Sequence, residues 1–118
     1  MEKILVVNND LDTMNLLKKW LEKKAYHVEY TSNSDNVTNM VKDIRPRLVI
    51  VDVMQKDVVN EIKSDKEIKE VPILLMTGYT SKYRGKDVPF DDVIEKPFNL
   101  SILEKKIEKL IDMNVIGH

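Results

Sequence analysis

The sequence Leu-Val-Ile-Val-Asp at residues 48–52 decides the fold of this chain. Its four consecutive branched apolar residues predict a strand buried on both faces, because a strand with one wet face alternates apolar and polar residues. The run ends on Asp52, and a carboxylate on a buried strand calls for a functional explanation. We therefore expect a covered, mostly parallel sheet with its chemistry at the carboxyl end of this strand.

The same pattern recurs along the chain. Ile4–Val7 and Ile73–Met76 are apolar runs of the same kind, residues 27–31 alternate, and Val93-Ile94 is a brief fifth strand. Segments of helical periodicity lie between these strands. The alternation predicts an α/β fold, a doubly wound five-stranded parallel sheet with helices on both faces.

Capping residues and prolines predict where the helices begin and end. Asp10 and Asp12 are candidate caps for the first helix, Ser34 for the second and Asn99 for the last. Short polar side chains of this kind accept hydrogen bonds from the free N–H groups of a first helical turn. Arg45-Pro46 ends the second helix, since proline cannot continue the hydrogen-bond ladder.

The helices that follow the third and fourth strands are predicted to be the weakest. Val58 and Ile62, with Ile68 as a further candidate, mark a short third helix. Residues 79–91 contain a glycine and a proline, which interrupt any long helix, so the fourth helix is predicted to be weak.

The composition excludes several classes of protein. A length of 118 residues fits one domain over residues 1–118. With no cysteine and only His27 and His118 as histidines, the chain has no thiolate chemistry and no histidine-rich metal centre. Its 19 basic and 20 acidic residues are interleaved, which argues against nucleic acid held by net charge but leaves a local basic patch open. The apolar runs are far shorter than the roughly 18 residues of a spanning helix, so we expect no membrane segment and a cytoplasmic location.

Polar side chains follow four of the predicted strands. They are Asn8, Asn9 and Asp10 after the first, Asp52 after the third, Thr77 after the fourth and Lys96 after the fifth. A carboxylate among oxygen ligands suits Mg²⁺, and it can also accept a phosphoryl group covalently. A hydroxyl and an ammonium group beside it could hold the phosphoryl oxygens. Taken alone, the two asparagines are more typical of a turn than of a functional site.

In these residues the chain resembles the receiver domains of two-component response regulators, the CheY-like family, over residues 3–113. The segments that carry the resemblance are Lys3–Val7, Leu48–Met54, Val71–Thr77 and Glu95–Phe98. The resemblance implies a flavodoxin-like fold with strand order 2-1-3-4-5. It also implies a partner histidine kinase or phosphotransfer protein that donates a phosphoryl group in the presence of Mg²⁺, with signalling rather than enzymatic turnover as the role.

The resemblance assigns a role to three of the strand-end residues. Asp52 stands where the family has its phosphoacceptor. Thr77 and Lys96 stand where the family has the hydroxyl and the lysine that contact the phosphoryl group.

The metal site implied by the resemblance is altered in this chain. The family has two acidic residues where Asn8 and Asn9 stand, so the implied ligands are Asn9, Asp52 and the backbone carbonyl of Met54. Asn8 and Asp10 are further candidates. Each carboxylate lost beside a cation is worth roughly 1–4 kcal/mol, so we expect reduced affinity for Mg²⁺.

Two further departures fall on the surface that responds to phosphorylation in the family. The segment Gln55–Asn60 after the phosphoacceptor lacks the family's proline and glycine, and the chain is shorter there. Val93 stands where the family has an aromatic residue three positions before the lysine. Both the charged site and the element that it moves are therefore altered.

Three functions are compatible with these residues. The first is a receiver that accepts a phosphoryl group on Asp52, and the alternative is a degenerate receiver that binds partners independently of phosphorylation. A small α/β enzyme or nucleotide binder is disfavoured, since no glycine-rich phosphate loop follows the first strand.

Overall fold

The computed structural model describes residues 2–78 and 89–116, with the side chains of 113–116 left aside. Five parallel strands form one sheet in the order β2-β1-β3-β4-β5. The strands are β1 Lys3–Val7, β2 His27–Thr31, β3 Leu48–Asp52, β4 Ile73–Thr77 and β5 Asp92–Glu95. The strand order and the parallel sense confirm the predicted fold class.

Helices cover both faces of this sheet. Within the described residues they are α1 Leu11–Lys23, α2 Val37–Ile44, α3 Asp57–Lys63 and α4 Leu100–Ile116. The weak helix predicted at residues 79–91 falls mainly on residues 79–88, which lie outside the described part of the chain. Across the ranges that are described, none of the helices combines the length and the apolar character needed to cross a membrane.

The sheet separates two apolar cores. Within β3, Leu48 and Ile50 pack in the core shared with α1 and α4, whereas Val49 and Val51 pack in the core shared with α2 and α3. This alternation follows from the period of two along a strand. Every residue of β3 is buried, which confirms the strand covered on both faces that its apolar run predicts.

Side-chain caps and a left-handed residue set several helix ends as predicted. Asp10 caps α1 and accepts a hydrogen bond from the backbone N–H of Asp12, which therefore lies inside the first turn. Asn99 caps α4, accepting from the backbone N–H of Ser101 at 2.7 Å. Arg45 ends α2 in the left-handed region, with φ of 55°, just before the proline.

The start of α2 differs from the prediction that Ser34 caps it, and that prediction is wrong. A 3-10 turn, Ser34–Asn36, precedes the helix. Its capping side chain is Asn33, whose Oδ1 accepts from the backbone N–H of Asp35 at 2.8 Å. Adjacent short polar residues can each serve as caps, so the sequence leaves the cap uncertain by one position.

The third helix is short, as predicted. It spans seven residues, and Ile68 lies beyond it in a turn, where it is buried. Lys63, the last helical residue, donates from Nζ to the carbonyl of Val71 at 2.8 Å and to that of Lys69 at 3.1 Å. A lysine at this position therefore fixes the connection from α3 to β4.

Asp91, which directly precedes β5, also holds this connection. Its Oδ2 lies 3.0 Å from Nζ of Lys63 and accepts from the backbone N–H of Ile73 at 2.7 Å. The backbone N–H of Asp91 donates in return to the carbonyl of Ile73 at 2.9 Å. The first residue of β4 is thus held from both sides, which fixes where the strand begins.

Candidate functional site

Buried polar side chains are concentrated at one edge of the sheet. Within the described ranges, the buried polar or charged residues are Asn8, Asp52 and Thr77. Each ends or directly follows one of the three central strands. Because the carboxyl ends of parallel strands meet at the same edge, the fold brings these residues together. The concentration of buried polar groups at the carboxyl ends of parallel strands marks this edge as the candidate site.

A lysine reaches Asp52 from the end of β5. Nζ of Lys96 lies 3.5 Å from Oδ2 of Asp52, whose side chain is 7% exposed against 29% for the lysine. An unpaired buried charge is costly, so the ammonium group stabilises the carboxylate in this pocket. The pair combines a nucleophilic oxygen with a cation that can offset negative charge on a reacting group.

Thr77 and Lys96 are positioned by the pairing of β4 with β5. Thr77 is 1% exposed and ends β4. Its carbonyl accepts from the backbone N–H of Lys96 at 2.8 Å, and the Lys96–Pro97 peptide bond is cis. Since β4 lies next to β3 in the sheet, the structure brings Asp52, Thr77 and Lys96 to one edge, as predicted.

Asn8 lies deepest among the polar residues that follow β1. It is fully buried, and its Oδ1 accepts from the backbone N–H of Asp10 at 2.6 Å. Its Nδ2 is buried without a hydrogen-bond partner among the residues described. The amide oxygen therefore has one of its two lone pairs engaged, and within the described residues the N–H donors of the amide are unused.

Asn9 and Asp10 are exposed instead of buried. Both carboxylate oxygens of Asp10 serve the start of α1, since Oδ1 accepts from the N–H of Asp12 and Oδ2 from the hydroxyl of Thr13 at 2.7 Å. The hydrogen bond from Thr13 holds the pKa of Asp10 below its usual value, and the charge of Lys96 lowers it further. Asp10 thus acts as a helix cap in this structure.

The donor set at this edge fits a divalent cation poorly. Among residues 2–78 and 89–112, no group of three or more His, Cys, Asp or Glu side chains is placed to hold a metal. Asp52 supplies one carboxylate, Asn8 has its oxygen engaged, and Asp10 caps a helix. Asn9 and the carbonyl of Met54 offer neutral oxygens, which bind hard cations less tightly than carboxylates do.

Asn8 and Asn9 are adjacent in the sequence but differ in burial. Asn8 follows Ile4 and Val6 at the spacing of two that keeps side chains on one face of a strand. Asn9 continues the opposite face of the strand and is exposed. The period of the strand was thus the signal that could have identified Asn8 as the buried residue.

Gln55 is a polar residue near this edge to which the sequence analysis assigned no role. Its Nε2 donates to the carbonyl of Ser32 at 3.0 Å, across 23 residues of chain. The contact joins the turn after β3 to the turn after β2. Sequence patterns do not show such pairings, because they depend on how two separate turns approach each other.

Comparison with known proteins places this geometry in a family. The model of the response regulator receiver domain matches residues 4–108. The transcriptional regulatory protein CpxR of Escherichia coli (strain K12) is 27% identical over 116 residues, which cover 94% of this chain and 50% of CpxR. The chain spans about half the length of the curated relatives that it matches.

Solved receiver structures share the fold. The response regulator protein TrrA from Thermotoga maritima, solved in complex with Mg²⁺-BeF, has a TM-score of 0.82 and 27% identity over 93% of this chain and 99% of its own. The receiver domain of the sensor histidine kinase PA1611 from Pseudomonas aeruginosa PAO1 holds a magnesium ion in its active site cleft. It has a TM-score of 0.86 at 18% identity and covers 94% of this chain and 98% of its own. These likenesses confirm the predicted CheY-like architecture.

Proposed function

This chain belongs to the response regulator receiver domain family, and on that premise we propose that it accepts a phosphoryl group on Asp52 in two-component signalling. The observation that carries the proposal is the buried carboxylate of Asp52, 3.5 Å from Nζ of Lys96, at the end of the central strand. The donor is the phosphohistidine of a histidine kinase or a phosphotransfer protein.

The transfer needs one nucleophile and little further chemistry. An Oδ atom of Asp52 attacks the phosphorus, a new O–P bond forms, and the P–N bond to the donor histidine breaks. The electron pair of the broken bond goes to the imidazole nitrogen, so the products are an aspartyl phosphate and a neutral histidine. Catalysis rests on positioning and on offsetting the charge of the phosphoryl oxygens.

Lys96 and Thr77 are the residues that offset and orient that charge in this proposal. The ammonium group of Lys96 pairs with a phosphoryl oxygen once the transfer has occurred, as it pairs with Oδ2 of Asp52 before it. The hydroxyl of Thr77 donates to a second oxygen. Charge-assisted hydrogen bonds of this kind are among the stronger ones in proteins.

Mg²⁺ is proposed as a weakly held cofactor. When bound, it would supply positive charge that offsets the negative charge of the reacting groups. Asp52, Asn9 and the backbone carbonyl of Met54 would hold it, with Asn8 and Asp10 as lesser candidates. A single carboxylate among neutral oxygens supports a low affinity.

Protein partners are proposed on both sides of the transfer. A kinase or phosphotransfer protein lies upstream and a protein target downstream, in the cytoplasm, with no direct contact to nucleic acid or membrane. The interleaved charges of the chain support this assignment. Specific binding of duplex DNA by the purified chain, measured by fluorescence anisotropy at physiological salt, would contradict it.

The test is chemical trapping of the phosphorylated residue. The purified chain is incubated with acetyl phosphate and Mg²⁺, reduced with borohydride and mapped by mass spectrometry. The proposal expects the reduced residue, homoserine, at position 52 of the wild type, whereas Asp52→Asn carries none at that position. Absence of trapped product in the wild type, both with acetyl phosphate and with a phosphorylated kinase, would overturn the proposal. The alternative of a phosphorylation-independent binding module would then take its place.

A further inference from the structure

The orientation of the Asn8 amide is fixed by its neighbour. The backbone N–H of Asp10 can only donate, so the atom that it meets at 2.6 Å is the oxygen of the amide, Oδ1. The nitrogen, Nδ2, is therefore the atom left to the interior. Within the described residues it is buried and has no hydrogen-bond partner.

The sheet register places Asn8 beside the phosphoacceptor. Val7 pairs with Val51 in the parallel β1–β3 ladder, so the next residues along, Asn8 and Asp52, are lateral neighbours. Both continue the strand positions that face the core shared with α1 and α4. A buried donor that the protein leaves without an acceptor is costly, so its position next to Asp52 indicates a role for an incoming acceptor.

The charge of the pocket favours the same conclusion. Asp52 and Lys96 form one ion pair at 3.5 Å, and the two positions after β1 carry neutral amides. The carboxylate is thus already offset by an ammonium group. A pocket of this kind presents N–H donors to a ligand, and donors bind an oxyanion and repel a metal cation.

We propose that Nδ2 of Asn8 is a binding group for the phosphoryl oxygens on Asp52, and that the pocket holds such a group without requiring a divalent cation. The inference rests on the proposed function, since the ligand is the phosphoryl group bonded to Asp52. Nδ2 of Asn8 donates to one oxygen and Nζ of Lys96 to another. Asn8 thereby stabilises an oxyanion through a hydrogen bond, whereas Lys96 offsets its charge.

Beryllium fluoride is the probe for this inference, because it bonds to a carboxylate oxygen and copies a phosphoryl group. It is titrated into the ¹⁵N-labelled full chain in parallel arms, one with excess EDTA and one with Mg²⁺, and followed by NMR. The inference expects the wild type to bind in EDTA within about tenfold of its affinity with Mg²⁺, since one donor and one cation replace the metal. It also expects the side-chain NH₂ resonances of Asn8 to shift on binding.

Asn8→Asp is the matched variant, because it keeps the acceptor for the N–H of Asp10 and replaces the donor with a carboxylate. We expect its affinity in EDTA to fall by at least about tenfold and its affinity with Mg²⁺ to rise, because the added charge repels the anion and attracts the cation. Asn60→Asp makes the same chemical change on the exposed face of α3 and is expected to alter neither.

Several outcomes would overturn the inference. These are wild-type binding that disappears in EDTA, Asn8 resonances that stay in place on binding, or an Asn8→Asp variant that binds as well as the wild type in EDTA. Its failure is distinct from failure of the proposed function. Trapping at Asp52 only with Mg²⁺ would leave the function standing and remove this inference. Cation-free binding of the probe without any trapped phosphoryl group would overturn the proposed function and leave Asn8 as a donor to the probe alone.

Discussion

At the carboxyl edge of the sheet, the end of β1 carries different chemistry from the ends of β3, β4 and β5. The ends of β3, β4 and β5 carry a carboxylate, a hydroxyl and an ammonium group, in Asp52, Thr77 and Lys96. The end of β1 carries two amides, Asn8 and Asn9, where a cation site would need charge. Asp52 belongs to both sets of groups, whereas the two positions after β1 serve the cation alone, so they can change while the groups assigned to the phosphoryl group stay.

The largest effect is expected at the phosphoacceptor itself. Asp52→Asn removes the nucleophile, so phosphorylation by acetyl phosphate should fall by at least about a thousandfold. The measurement is the initial rate of incorporation from ³²P-labelled acetyl phosphate. If Asp52→Asn incorporates label at more than a tenth of the wild-type rate, another residue is the acceptor. The role assigned to the ends of β3, β4 and β5 would then be wrong.

Lys96 should give the next largest effect. Lys96→Met keeps much of the side-chain volume and removes the cation beside Asp52, so we expect the phosphorylation rate to fall about a hundredfold, in line with the loss of one preorganised charge donor. Lys106→Met is the control, because Lys106 pairs with Asp92 at 3.1 Å, at the start of β5, away from the carboxyl edge. Equal effects of both variants would show that the charge at Lys96 acts only through the fold.

The scaffold should respond differently from the pocket. Lys63→Met removes the donor to the carbonyls of Lys69 and Val71 and the partner of Asp91, so unfolding in urea should show a loss of about 1–3 kcal/mol. We expect the rate of phosphorylation under native conditions to stay within about twofold of the wild type, since the contact lies at the amino end of β4. Lys66→Met, on an exposed lysine in the following turn, is the control.

The smallest effect is expected at Asp10. Its lowered pKa means that the ionised carboxylate stabilises the folded chain above the usual value of 3.8 and that this contribution is lost as the pH falls through the lowered pKa. Asp10→Asn keeps an oxygen acceptor, so its Tm at neutral pH should lie about 1–4 °C below the wild type. The Tm values of the wild type and of Asp10→Asn should converge when the pH falls below the lowered pKa of Asp10.

Asp12→Asn supplies the control for Asp10, as an exposed carboxylate in the same helical turn. A Tm difference between wild type and Asp10→Asn that persists in acid would contradict the role of the charge. The stabilisation by Asp10 would then come from the hydrogen-bond geometry of the cap alone.

The sequence predicted the sheet because burial on both faces leaves a visible pattern. The short apolar run before Asp52 is typical of a covered strand, and two other segments of the chain repeat it. The Lys63–Asp91 contact could not be predicted, since it joins residues far apart in the chain through the way that α3 meets β4. The start of α2 was predicted wrongly because a 3-10 turn, capped by Asn33, precedes the helix.

The site was predictable where a strand end could be located and uncertain where it could not. Asp52, Thr77 and Lys96 each follow a recognisable strand, so their convergence follows from the parallel sheet. The different environments of Asn8 and Asn9 depend on which residue continues the register of β1. The orientation of the Asn8 amide depends on a single backbone N–H, at Asp10, which no sequence pattern records.

The central claim, which rests on the proposed function, is that this site keeps the groups that accept a phosphoryl group and binds a divalent cation only weakly. Calorimetric titration of Mg²⁺ into the wild type and into the Asn8→Asp/Asn9→Asp double variant tests it most directly. We expect the double variant to bind at least about a hundredfold more tightly, since each added carboxylate contributes roughly 1.4 kcal/mol or more beside the cation. Wild-type binding as tight as that of the double variant would contradict the account.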